Sequence, residues 1–156
     1  MPKYYIYLIY TGLLALILIL VVPRKEIRRL AFWGILFGAV VDAFAIILFT
    51  HLLDVGGYLN YGPLALLGMP FLPLIAWTVY YIIYFYFLPK QPPWNYIFTV
   101  TAASYSVIFS NVLSNLGIFE WNYGKIFIPF LIYISWNSLA TWAYLKFIED
   151  INIYAD

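Results

Sequence analysis

Asp42 is the residue whose type and setting most invite chemistry. It stands in GAVVDAFAII, residues 38 to 47, within a long run that is otherwise almost wholly apolar. No basic residue lies near it in sequence, and hydrocarbon disfavours the ionised form, so the carboxyl is expected to hold its proton at neutral pH. An ionisable group at such a depth is a functional-site candidate by default, as a proton relay or a grip on a polar solute. Counting back in fours from Asp42 reaches Gly38 and Gly34. The three share a helix face on which a second helix can approach closely, which turns the carboxyl inward. Its expected partners are polar stripes on two later segments. One consists of Ser104, Asn111 and Asn115, the other of Tyr133, Asn137 and Thr141. Each stripe keeps to a single side at spacings of four and seven.

A second group is His51 and Asp54, three apart, with Glu120 beside Trp121 further on. A histidine with two carboxylates could act as general acid and base or hold a cation. A third is the run PRKEIRR, whose Arg24, Lys25, Arg28 and Arg29 suit anionic lipid headgroups at about 1 kcal/mol for each charge. With no cysteine and a single histidine, neither a thiolate site nor a multi-histidine centre can form in one copy. No metal and no cofactor are therefore expected. The net charge of +1 gives no reason to expect nucleic acid as a partner.

The elements that must position these residues follow from hydropathy. The chain of 156 residues is 65% hydrophobic and 10% charged. An ordinary soluble domain is about a quarter charged, so this composition reads as that of an integral membrane protein. Five stretches, roughly 4–22, 29–52, 64–88, 96–116 and 126–147, are long and apolar enough to cross a hydrocarbon core about 30 Å thick. The expected fold is all-α, a polytopic bundle of five transmembrane helices forming one domain over 1–156 with no soluble domain. Pro70 and Pro73 fall inside the third stretch and are expected to kink it. The first stretch lacks a small-residue cleavage site and runs into charged residues, which reads as a retained helix. Arg24, Lys25, Arg28, Arg29, Lys90 and Lys146 share one side against Lys3 and Lys125 on the other. That places the N-terminus outside and the C-terminus in the cytoplasm, in the cell membrane.

The order of GAVVDAF, GMPFLP, PPWNY and NLGIFEWNYGKIF resembles that in a family of uncharacterised small five-helix integral membrane proteins of spore-forming Firmicutes. The resemblance implies the same helix count and carries no established activity. Members often have an acid in the fourth helix about one or two turns before the LG pair, where this chain has Ser110 and Asn111.

The reading that needs fewest special features is a binding or assembly module working through helix–helix and lipid contacts. Its partners would be membrane lipids, a second copy or another membrane protein. Two alternatives follow from the candidate sites. One is a transporter or channel component using the Asp42 seam. The other is a membrane-embedded lipid-modifying enzyme using His51, Asp54 and Glu120.

Overall fold

A computed structural model describes residues 1–148, most of them in five helices. These are α1 (Tyr5–Val21), α2 (Arg24–Leu52), α3 (Phe71–Phe87), α4 (Trp94–Asn115) and α5 (Phe127–Ala143). The last continues through a widened turn over Tyr144–Ile148. By length and composition α2 and α4 can each cross a membrane. Helices α1 and α3 are also apolar but have 17 residues each. The expected cytoplasmic C-terminus lies outside the described residues.

Helix α3 is the centre of the bundle, with α1 and α2 packed along it and α4 paired with α5. Glycine makes the α2–α3 approach possible. A Cβ added to Gly38 would lie 2.5 Å from the backbone nitrogen of Thr78, and one on Gly34 would lie 2.5 Å from Ile82 Cγ1. The Gly34/Gly38 face is thus filled by α3 of the same chain, and is not a surface for joining a second protein. Two widened, π-type turns, Ile35–Val40 and Ile46–Leu52, flank Asp42. Such turns arise where something enters the helical ladder. In the first, the Phe37 carbonyl accepts a hydrogen bond from Trp136 Nε1 of α5 at 2.7 Å.

The third helix departs from expectation. It begins at Phe71, and the residues before it form a hairpin of β2 (Ala65–Leu66) with β3 (Met69–Pro70), after an earlier strand β1 (Gly56–Tyr58). Pro70 becomes the N-cap, in extended conformation, and Pro73 falls in the first turn. The backbone donors of a first turn have no partner inside the helix, so a proline there costs nothing and bends nothing. The prolines start this helix and do not kink it.

At the tip of that hairpin Leu67 and Gly68 both have positive φ, 53° and 79°. A two-residue loop of this kind needs the left-handed region at both positions, which suits Asn-Gly and strains leucine. Leu67 is 93% exposed and so loses no packing on replacement. Leu67→Asn is expected to stabilise the protein by about 1 kcal/mol. The thermal midpoint in detergent would rise, and an unchanged midpoint would mean the tip stores no strain.

The same end of the bundle is closed by strand pairing across a long stretch of sequence. Strand β1 runs antiparallel to β4 (Phe119–Trp121), with Tyr58 opposite Phe119 and Gly57 opposite Glu120. Period-two alternation turns Phe119 and Trp121 toward the bundle and leaves Glu120 exposed. The Tyr7 hydroxyl on α1 fastens both sides of this cap, lying 2.6 Å from the Leu59 carbonyl and 2.7 Å from that of Ile118.

Candidate functional site

Asp42 is 3% exposed. Since α2 starts at Arg24, Asp42 lies roughly 27 Å along it and only about 15 Å from its capped end, at about 1.5 Å per residue. Asp42 is therefore past the middle of α2 on the side of the cap, which brings a loop residue within reach. Tyr58 of β1 donates its hydroxyl to Asp42 Oδ1 at 3.2 Å, and the Tyr58 hydroxyl oxygen in turn accepts from Trp77 Nε1 of α3 at 3.0 Å. A phenol has one proton to give, so Tyr58 is a relay between an indole donor and a carboxyl acceptor. No cation adjoins Asp42 among the described residues.

Two hollows meet at this triad. The smaller, about 40 Å³, is lined by Asp42, Thr50, Trp121 and Trp136 among others. The larger, about 170 Å³, lies between α1, α3 and α4. Tyr58, Trp77, Phe119 and Tyr133 wall both, so these four side chains are the partition between them.

A second polar network lies deeper. Asn137, 1% exposed, accepts at Oδ1 from the hydroxyls of Tyr80 and Tyr81 at 3.1 and 3.0 Å. The Tyr84 hydroxyl sits 2.6 Å from Thr141 Oγ1 and 3.1 Å from Thr99 Oγ1, and the two threonines are 2.8 Å apart. This network ties α3, α4 and α5 together without touching Asp42.

Of the expected seam, the structure brings only Tyr133 to the Asp42 hollow. Asn137 belongs to the deeper tyrosine network. Ser104 bonds the Val100 carbonyl of its own helix, and Asn111 Nδ2 bonds the carbonyls of Val107 and Lys125. Asn115 is exposed at the end of α4. The buried stripe of α4 runs through Ala103, Ser106, Val107, Ser110 and Leu113 instead. The expected face is turned away because polarity alone chose it, whereas the close pairing with α5 takes the small residues inward.

The three-residue cluster at the capped end does not form either. His51 is exposed, and Asp54 accepts through its carbonyl and its carboxylate from Asn122 Nδ2 at 2.8 and 3.1 Å. Glu120 points outward from β4. Among the described residues no three histidine, aspartate or glutamate side chains gather where they could share a metal. At the far end, Arg24, Lys25 and Arg28 are exposed, while half-buried Arg29 pairs with Glu26 at 2.9 Å through Nε.

Tyr58 and Trp77 escaped notice in the sequence because one lies in a connection and the other resembles any core aromatic. A signal was present in GGY. Adjacent glycines mark close backbone approach, and a Cβ on Gly57 would lie 2.5 Å from Thr50 Oγ1. Comparison with protein families, with curated proteins and with solved structures gives no match to this chain.

Proposed function

We propose that the chain is a five-span protein of the cell membrane that works as a binding and assembly module. The observation that carries this reading is an inverted distribution of polarity. Large apolar side chains such as Leu13, Ile19, Leu20, Phe32, Phe44 and Leu139 are exposed. Asp42, Asn137, Thr99, Ser106, Ser110 and Thr141 are buried. Continuous apolar surface on this scale is untenable in water and is ordinary against lipid. The 17-residue helices α1 and α3 lie at the short end of the range, about 17 to 25 residues, that spans a bilayer. Exposed Arg24, Lys25 and Arg28 would meet anionic headgroups on the cytoplasmic side, with the cap outside. Lipids are then the first partners, and a second copy or another membrane protein would seat on the aromatic and aliphatic exterior.

Cysteine labelling tests this directly, because the chain has no cysteine of its own. In intact cells a membrane-impermeant maleimide is expected to label Leu67→Cys fully, and Arg28→Cys only after permeabilisation. The protein should also stay with the membrane in an alkaline wash. Recovery in the soluble fraction, or equal labelling at both positions, would sink the reading.

A transporter component is the second reading, favoured by a buried carboxyl beside two adjoining hollows. It requires pH-dependent flux in liposomes that Asp42→Asn abolishes.

A further inference from the structure

We infer that the larger cavity is a binding site for an alkyl-tailed phenol: a flat hydroxylated ring that enters sideways from the bilayer between α1 and α4. The inference rests on the membrane reading above.

The route follows from how the helices pack. Helix α1 leans on α3 and α4 on α5, so the two face each other across a gap bridged by the edge-to-face rings of Tyr10 and Phe109, 5.4 Å apart. Tyr105 and Phe109 line the cavity and are also 69% and 42% exposed, so the cavity opens to the bundle's side through them. From above, Tyr58 of β1 and Phe119 of the paired strand β4 close it. The mouth lies within about 15 Å of the outer end of α4 and therefore faces lipid. A ligand that uses it must already be dissolved in the membrane.

The size and walls select a ring. A cavity of about 170 Å³ compares with the roughly 150 Å³ that accommodates one benzene in an apolar core. A tail would then stay outside, in the bilayer. Trp77, Tyr105, Phe109, Phe119 and Tyr133 supply aromatic faces and edges, against which a flat ring gains more than a flexible chain does.

The hydroxyls in the wall decide what the ring must carry. Tyr58 gives its proton to Asp42, Tyr80 to Asn137, Ser106 to the Ala102 carbonyl and Ser110 to the Val107 carbonyl. Their protons are committed to the protein, so Tyr80 and Ser106 have acceptor lone pairs left for a ligand. A ligand hydroxyl can donate to these and also accept from the Tyr10 or Tyr133 hydroxyl in the same wall, whereas a ring ether or ketone can only accept.

The test uses 2-bromo-4-octylphenol, its methyl ether and octylbenzene, with the protein in lipid nanodiscs at pH 6. Bromine quenches tryptophan on contact, and Trp77 is in the wall. The phenol is expected to quench saturably. The ether should bind at least tenfold more weakly, and octylbenzene should not displace the phenol. Ser106→Leu, which fills the cavity, should abolish saturable quenching. Ser106→Ala keeps the volume and the fold, and should remove most of the preference for phenol over ether. Non-saturable quenching, equal affinity for phenol and ether, or displacement by octylbenzene would overturn the inference, the last revealing an alkyl-chain groove. A chain that leaves the membrane in an alkaline wash refutes the membrane reading itself. A membrane-retained chain that fails the quenching test refutes only the phenol site.

Discussion

Gly38→Ala is expected to be the most damaging single-methyl change along the α2–α3 contact. The added Cβ would come within 2.5 Å of the Thr78 nitrogen and the Trp77 carbonyl carbon and 2.6 Å of the Thr78 Cα. All three atoms are backbone of α3, so no rotamer change relieves the clash and the two helices must separate. Overpacking of this kind costs about 1–3 kcal/mol where side chains can yield, and backbone against backbone belongs at the upper end. The separation would also shift Trp77 away from Tyr58 and so loosen the Asp42 triad. Gly34→Ala should cost less, because Ile82 Cγ1, the atom it meets first, belongs to a side chain that can move. Gly12→Ala should be neutral, with nothing within 4 Å of the new Cβ. Unfolding of the three variants in mild detergent, followed by tryptophan fluorescence, checks the ranking. Equal stability of Gly38→Ala and Gly12→Ala would refute the α2–α3 contact.

Tyr58→Phe is expected to cost more than Asp42→Asn, although the carboxyl looks the more important residue in the sequence. Removing the Tyr58 hydroxyl leaves two buried groups without their partner, the Trp77 indole donor and the Asp42 carboxyl. Each such orphan costs about 1–3 kcal/mol. Asparagine at position 42 still offers Tyr58 a carbonyl oxygen, so that change should stay within about 1 kcal/mol. In the double variant the effects should fall short of additive, since both changes act on one bond. The local readout is proteolysis of the connection between α2 and α3. Loss of the tether should free β1 from the bundle and raise cleavage there several-fold in Tyr58→Phe but not in Asp42→Asn. Matching cleavage in both variants would mean that Tyr58 is held by its ring contacts with Tyr7 and Phe119 alone.

Both results bear on what Asp42 is for. Its neighbours are a tyrosine and a tryptophan, and the asparagines that might have carried a polar path lie elsewhere. The arrangement is that of a latch between cap and bundle, set in the partition between two hollows. In the binding module proposed above, such a fixed wall would give the cavity one shape.

Local sequence determined the helical class and the number of helices. Apolar runs about 20 residues long, broken by proline, glycine and charge, satisfy their backbone hydrogen bonds within the segment when they are helical. The spacing of Gly34, Gly38 and Asp42 also put a close approach and a buried carboxyl on one side of α2, a property of a single helix. Tertiary structure decided everything that depends on a partner distant in sequence. The pairing of Gly56–Tyr58 with Phe119–Trp121 is what inserts Tyr58 beside Asp42. No periodicity within either segment encodes that meeting. Which face of α4 turns inward was settled by its fit to α5, because serine and asparagine stripes on one helix are equally regular whichever is buried. Pro70 and Pro73 were legible as interruptions, but whether a proline kinks a helix or starts one depends on where the first backbone hydrogen bond forms. That was set by the β2–β3 hairpin, which takes up residues 65–70 before α3 can begin.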